Sequence, residues 1–175
     1  RRSSDLALKA AETGHLVIST LHTKNAFQTV SRLLAVFKPE EQEMIRQRLA
    51  ETLVAVVSQR LLPRKDGRGR VPACEIMVVT GTIRDCIADP ARTHEIPDLI
   101  EEGREHYGSQ SFDQHLMELV RGDDVDFEVA KASANHPTDF DLKMNVFGPE
   151  GSEEENGGVG QPGLSEGIGD LYGGP

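Results

Sequence analysis

The chain of 175 residues is long enough to bury one good hydrophobic core, so one domain with appendages is expected. Its formal net charge of −10 argues against a nucleic-acid partner, whose phosphates a protein must neutralise with positive charge. Two cysteines, Cys74 and Cys86, are too few for a disulfide framework or a zinc site, and both are interpreted as small buried thiols. No apolar run approaches the roughly 20 residues of a membrane span, so a cytoplasmic protein is predicted.

The first predicted elements are a helix over residues 5–13 and a strand over residues 16–21. Gly14 lies between them, where the helix needs its C-terminal stop. Residues 16–21 are apolar and β-branched, interrupted only by small hydroxyl side chains. This composition is typical of a strand buried on both faces in the middle of a parallel sheet.

Polar side chains follow at the carboxyl end of that strand, namely Thr20, His22 and Thr23. In open α/β sheets ligands bind at the carboxyl ends of the strands, so these side chains are predicted to face a site. For His22 taken alone, an ordinary structural histidine is the alternative.

The run AAETGHLVISTLHT, residues 10–23, resembles the His box of the secretion-superfamily ATPases, above all that of the twitching-motility (pilus-retraction) ATPase family, PilT. The resemblance extends from about Leu6 to Phe140 and implies a RecA-like P-loop ATPase domain. In that family the second histidine of the box approaches the γ-phosphate, so the resemblance implies a catalytic role for His22. It implies supporting, nucleotide-sensing roles for the neighbouring residues Thr20, Thr23 and His15.

Two helices are predicted next. Residues 25–37 carry apolar side chains at helical spacing. A second helix opens at Pro39, a residue tolerated in the first turn, and its apolar face is expected to continue to Val57. Arg46 and Arg48 are interpreted as part of its solvated face.

Residues 58–63 and 71–79 flank a turn rich in glycine and arginine, and the pattern predicts a hairpin. The basic turn, residues 64–70, is interpreted as a solvated loop tip, with a phosphate or acidic-lipid contact as the alternative. Assembly-type ATPases of the superfamily usually carry a four-cysteine zinc module after the equivalent Gln-Arg-Leu. The absence of cysteine here favours the retraction branch.

Residues 81–87 predict a further helix, capped at Thr80 or Thr82. They resemble the Ala-Ile-Arg-Asn-Leu-Ile motif of the retraction ATPases, with Ile83, Arg84 and Ile87 kept. The substituted positions are Thr82, Asp85 and Cys86. From the residues alone, the helix is amphipathic, with Ile83, Cys86 and Ile87 in the core and Arg84 exposed. The resemblance implies that its surface is also used to couple hydrolysis to pilus retraction.

Short helices are predicted over residues 95–106, 111–121 and 125–134. The last of these is expected to be the final helix, bounded by Asn135, His136 and Pro137, and the ordered part is expected to end near Phe147. The predicted organisation is a RecA-like core over 1–80, a helical subdomain over 81–147 and a disordered Gly- and Glu-rich tail over 148–175. The histidines of this half show no regular spacing to carboxylates, and no metal is assigned: His94, His106, His115 and His136.

No Gly-x-x-x-x-Gly-Lys-Ser/Thr phosphate loop occurs in the 175 residues. By the resemblance, the chain is expected to be the C-terminal half of a longer ATPase that binds ATP and Mg²⁺ mainly through its other half. The resemblance also implies a homo-oligomeric, hexameric ring that meets an inner-membrane pilus or secretion platform protein and is therefore peripheral at that membrane. No nucleic acid and no direct membrane span are expected.

Three readings compete with a retraction ATPase. A type II secretion or pilus-assembly ATPase of the same superfamily is the first, and a truncated, non-catalytic ring-interaction module is the second. An unrelated histidine-dependent hydrolase is the third, and the sequence offers no paired nucleophile or acid–base group for it.

Overall fold

The computed structural model describes residues 2–146, which form helices and one two-stranded sheet. The predicted disordered tail, residues 148–175, lies outside the described residues. No helix in the described part combines the length and apolar character that crossing a membrane requires. In chain order the elements are α1 Arg2–Glu12, α2 Ala26–Ala35, α3 Pro39–Thr52, β1 Ala55–Pro63, β2 Arg70–Val78, α4 Gly81–Ala88, a 3-10 turn Thr93–Glu95, α5 Ile96–Glu102, α6 Arg104–Tyr107, α7 Phe112–Arg121, α8 Phe127–Ser133 and α9 Pro137–Val146.

Helix α1 ends as its sequence predicts. Gly14 adopts a left-handed φ of +86°, a conformation that a side chain disfavours. Its N–H donates to the Ala11 carbonyl over 3.0 Å, and the His15 N–H donates to the Ala10 carbonyl over 3.1 Å. This pair of bonds closes the helix in a Schellman motif and turns the chain into the segment that follows.

The predicted strand over residues 16–21 is wrong for this structure, because residues 15–23 form no strand. Leu16 is 88% exposed and Ile18 85% exposed. A strand needs a neighbour for its backbone groups, and none of the described residues supplies one here. The apolar, β-branched composition of this segment favours a strand, but without a partner strand it does not form one.

Helices α2 and α3 form where predicted. Asn25 caps α2, since its Oδ1 accepts the Gln28 N–H over 2.8 Å. Pro39 occupies the first turn of α3, and the Glu41 carboxylate accepts the Lys38 N–H over 3.2 Å. The extension of this helix to Val57 is wrong: α3 ends at Thr52, because the chain from Ala55 onward pairs as a strand.

The predicted hairpin is confirmed. Strands β1 and β2 pair antiparallel, with Ser58 opposite Glu75. The free edge of β2 is covered by Gln110, which exchanges two backbone hydrogen bonds of 2.8 Å with Ile76. The edge of β1 meets no other strand within residues 2–146.

The basic turn of the hairpin is partly ion-paired rather than simply solvated. Arg64 contacts Asp124 over 2.8 Å, and Lys65 pairs with Asp123. Both aspartates follow α7, so the turn is fastened to the C-terminal helices.

Two hydrophobic clusters hold the described residues together. The first packs α2, α3 and α4 against β2 and α5, with the buried members Ala26, Val30, Leu34, Phe37, Ile45, Leu49, Ala50, Met77, Ile83, Cys86, Ile87, Ile96 and Ile100. The second packs the hairpin's far end against α7, α8 and α9, with the buried members Leu62, Ala73, Phe112, Leu116, Met117, Leu119, Val125, Ala130 and Phe140. The first cluster contains residues from both sides of position 80, where the predicted RecA-like core ends and the predicted helical subdomain begins. These domain limits stay a prediction. Cys86 is buried as predicted, whereas Cys74 is only partly buried.

The C-terminal helices differ from the prediction at two places. The helix expected over residues 95–106 is divided into a 3-10 turn, α5 and α6, with Gly103 at the break, where a Cβ would lie 2.9 Å from the Leu99 carbonyl oxygen. The helix over 125–134 is not the last, because Pro137 opens α9. Buried Asp113 accepts the N–H groups of the two residues before that proline, Asn135 (2.7 Å) and His136 (3.2 Å).

Candidate functional site

A groove of about 780 Å³ lies among α1, α2, α3, β1 and the segment 17–24. The segment contributes Thr20, His22 and Thr23 to its lining, and β1 contributes residues 55–59. The structure thus brings three of the four predicted nucleotide-site residues to one concave surface. The fourth, His15, does not line it.

His22 is free to contact a ligand. Its side chain is exposed, and no hydrogen bond or ion pair joins it to another described residue. A neutral imidazole carries one donor and one acceptor nitrogen, and the protonated ring carries two donors. The ring therefore offers at least one N–H to a molecule in the groove.

Thr23 is held in place by the first turn of α2. Its Oγ1 lies 2.7 Å from Oγ1 of Thr29, which is only 6% exposed. The Thr29 hydroxyl gives its proton to the Asn25 carbonyl over 3.0 Å, so Thr23 is the donor in the pair. Thr20, by contrast, is exposed.

His15 has a local structural role. Its Nδ1 lies 3.0 Å from Thr13 Oγ1, and the Thr13 hydroxyl already donates to the Ala10 carbonyl over 2.9 Å. The proton between them therefore belongs to Nδ1 of His15. The imidazole is tied to the end of α1, away from the groove.

The predicted coupling residues lie on α4, outside the groove lining. Thr80 caps the helix, accepting the Ile83 N–H over 3.3 Å, which settles the choice between Thr80 and Thr82. Ile83 and Ile87 are buried at 1% and 0% exposure, and Arg84 is exposed, as predicted.

Two arginines of α3 do more than the sequence indicated, and their interpretation as a solvated face is wrong. Arg46 Nη1 donates to the Ile87 carbonyl (2.9 Å) and to Thr93 Oγ1 (3.0 Å), and burial lowers the pKa of this guanidinium. Arg48 pairs with Glu12 and Asp5 of α1. Together they make α3 the link between α1 and α4.

Glu75 is a buried polar residue that the sequence analysis missed. It is 5% exposed on β2, and its Oε1 accepts the Ala26 N–H over 2.6 Å. Burial raises the pKa of Glu75, while the Ala26 hydrogen bond and the charge of Arg60 act in the opposite direction. The one signal in the sequence is a single carboxylate within the apolar strand ACEIMVV.

No group of three His, Cys, Asp or Glu side chains within residues 2–146 is arranged to hold a metal ion. His115 is engaged elsewhere, since its Nδ1 accepts the Cys74 N–H over 2.9 Å. That bond leaves Nδ1 without a proton and helps cover the edge of β2.

The chain is similar to known proteins in sequence. Residues 1–120 match the family described as "Type II/IV secretion system protein". The chain is 44% identical over 131 residues to a twitching motility protein of Neisseria gonorrhoeae, covering 75% of this chain and 34% of the relative. It is 42% identical over 135 residues to the type IV pilus retraction ATPase PilT of Pseudomonas aeruginosa, covering 77% of this chain and 38% of that protein.

Solved structures are similar over the same region. A crystal structure of the pilus retraction motor PilT with bound ADP matches with a TM-score of 0.65 at 33% identity, covering 79% of this chain and 38% of that one. The ATPase DotB of Legionella pneumophila matches with a TM-score of 0.63 at 27% identity, covering 75% of this chain and 36% of that one. The chain thus spans little more than a third of the length of these proteins.

These likenesses confirm the predicted fold class, the C-terminal part of an α/β RecA-like ATPase core followed by small helices. They also confirm the resemblance on which His22 was singled out, while the roles of the individual site residues stay predictions. With its first 120 residues matched, the chain belongs to the type II/IV secretion system protein family.

Proposed function

We propose that this chain is the C-terminal part of an ATPase that drives the retraction of type IV pili and so supports twitching motility. The observation that carries the proposal is the exposed imidazole of His22, which lines a groove and has no partner among the described residues. It lies in the stretch that this chain shares with the twitching motility protein and with PilT.

In this proposal His22 donates a hydrogen bond to the γ-phosphate of ATP or to the attacking water. Negative charge develops on the phosphoryl oxygens during transfer, and a fixed donor there stabilises it more than it stabilises the bound substrate. The ring acts by its position and its N–H and is not required as a general base. Thr23, fixed by Thr29, and Thr20 support the orientation of the backbone on either side of the ring.

Most of the affinity for ATP and Mg²⁺ is assigned to residues outside these 175. A triphosphate needs a run of backbone N–H groups, a lysine, and a hydroxyl and carboxylate for the metal ion. The sequence contains no phosphate loop, and the groove offers a histidine and threonines. This donor set fits a sensor for the terminal phosphate.

The transmission of motion is assigned to α4, with Ile83, Arg84 and Ile87 as its coupling residues. Ile83 and Ile87 pack in the same cluster as Ile45 of α3, so a displacement of α3 carries α4 with it. The Arg84 side chain at the surface is then the group available to a neighbour.

The full-length protein is proposed to act as a cytoplasmic hexameric ring, peripheral at the inner membrane through a pilus or secretion platform protein. The support is the likeness to the pilus retraction motor PilT and to DotB. A role as a secretion ATPase is the second candidate, favoured by the description of the family.

Deleting the gene in its host tests the retraction role. Loss of a retraction motor leaves pili that extend and do not return, so cells should carry more surface pili and lose twitching. Restoring the parent gene should reverse both effects. Cells without pili would assign the protein to assembly instead, and normal pili with normal twitching would contradict a pilus function.

A further inference from the structure

Glu75 is a buried carboxylate for which the proposed mechanism has no use. It lies on β2, 5% exposed, and its Oε1 accepts the N–H of Ala26, the first residue of α2, over 2.6 Å. Ala26 is itself 0% exposed, so water does not replace this acceptor. The hydrogen bond joins residues 49 positions apart in the chain.

The turn that Glu75 holds leads directly to His22. The Thr29 hydroxyl donates to the Asn25 carbonyl over 3.0 Å, and the Thr23 hydroxyl donates to Thr29 over 2.7 Å. Asn25 also caps the helix through the Gln28 N–H. A continuous set of hydrogen bonds therefore runs from the Glu75 carboxylate through the first turn of α2 to the residue beside His22.

We propose that Glu75 is a positioning residue, which fastens the start of α2 to the hairpin and thereby fixes the place of His22 in the groove. The inference rests on the proposed function only in taking the partner of His22 to be a nucleotide phosphate. Glu75 does not line the groove and acts through Ala26 and Thr23.

The chemistry of the position suits a carboxylate. The N-terminus of a helix carries partial positive charge, and an ionised acceptor makes a shorter and stronger hydrogen bond than a neutral one. The positive charge of Arg60 favours the ionised form of Glu75, whereas the negative charge of Asp113 disfavours it. A glutamine can keep the acceptor oxygen but not the charge, whereas an alanine keeps neither.

The first test is made on the 175-residue chain by recording backbone amide resonances in ¹⁵N-labelled protein. Glu75→Ala should shift the signals of Ala26, Thr23 and His22 together, and Glu75→Gln should shift the same signals by less. Glu43→Ala, which removes an exposed carboxylate of α3, is the matched control and should leave them in place. If Glu75→Ala does not fold, Glu75→Gln decides alone: a shifted Ala26 signal with unmoved Thr23 and His22 signals overturns the proposal.

The second test uses the full-length protein and separates kcat from KM for ATP. A displaced His22 should lower kcat by up to about 10²-fold in Glu75→Ala with little change in KM, and Glu75→Gln should recover part of the loss. An unchanged kcat in a folded Glu75→Ala variant overturns the positioning role. If the parent protein does not hydrolyse ATP at all, the proposed function fails, and the resonance shifts still decide the role of Glu75.

Discussion

Arg84 of α4 donates a hydrogen bond from Nε to the carbonyl oxygen of Ala50 in α3, over 3.2 Å. In the opposite direction, Arg46 of α3 donates to the Ile87 carbonyl of α4 over 2.9 Å. Both carbonyls lie in the last turn of their helix, where no helical N–H remains to bond them. Each helix therefore satisfies the C-terminal end of the other, and the positive charges suit the negative ends of the two helix dipoles.

Arg46→Ala should destabilise the chain more than Arg84→Ala. Arg46 is partly buried and makes two hydrogen bonds, and its removal leaves the Ile87 carbonyl without this donor and takes one partner from Thr93 Oγ1, at a cost of about 1–3 kcal/mol. Arg84 is exposed and makes one longer hydrogen bond, of 3.2 Å, so its removal should cost less. Urea unfolding of both variants, with exposed Arg32→Ala as the control, measures the difference. Equal losses for Arg46 and Arg84 would contradict the buried role of Arg46.

Arg84→Ala in the full-length protein should impair twitching while ATP binding is kept. The hydrogen bond to Ala50 is a small part of the packing of α4, which depends mainly on buried Ile83 and Ile87. A melting curve, a nucleotide titration and a twitching assay are compared with those of Arg68→Ala, an exposed arginine of the hairpin turn. Normal twitching would return Arg84 to an ordinary surface residue.

Local signals in the sequence located most of the helices. Thr80 and Gly14 were recognisable as helix ends, because a cap or a left-handed glycine acts within a few residues of its own position. The strand over residues 16–21 failed for the opposite reason, since a strand depends on neighbours that composition does not reveal. The start of α9 was missed because Pro137 was interpreted as the boundary of the last helix. The N–H groups of the two residues before Pro137 are bonded by the carboxylate of Asp113, which is distant in sequence.

The pairing of Arg48 with α1 should depend on pH. The hydrogen bond from Arg48 lowers the pKa of Glu12. The pKa of Asp5 is lowered mainly by its hydrogen bond with Lys9 and, to a smaller extent, by that with Arg48. Carboxylates with a lowered pKa in the folded state contribute stability above the ordinary carboxylate pKa, near 4, and lose it as the pH falls through the folded-state values.

Arg48→Ala should therefore destabilise the chain at pH 7 and make a smaller difference at pH 3. Thermal melts of parent and variant at both pH values give the difference in stability at each pH. Other titrating groups, such as Glu75, act equally on both proteins, so their effect cancels in this difference. A difference between parent and variant that is the same at both pH values would show that Arg48 acts by packing alone.

The 175-residue chain by itself should neither hydrolyse ATP nor bind it tightly. The groove contributes His22 and threonines, whereas the phosphate-binding backbone and the Mg²⁺ ligands are assigned to residues outside it. A titration with a fluorescent ATP analogue and a phosphate-release assay test this together. Tight, Mg²⁺-dependent binding or steady turnover by these residues would place the phosphate site within the chain.

How much of the site the sequence could reveal differs from residue to residue. His22, Thr20 and Thr23 are adjacent in sequence, so the His-box resemblance brought them together without any knowledge of the fold. Glu75 could not be found in that way, because its significance comes from an N–H that is distant in sequence and close only after the hairpin packs on α2. Arg46 and Arg48 were misjudged likewise, since their acceptors lie on other helices.

The most direct test of the role of His22 is the hydrolysis rate of the full-length protein carrying His22→Ala, measured beside its affinity for ATP. Loss of one well-placed donor should lower kcat on the order of 10²-fold and change ATP binding little. His94→Ala, an exposed histidine outside the groove, should behave as the parent. A kcat for His22→Ala equal to that of the parent would contradict the proposal and leave His22 with a structural role only.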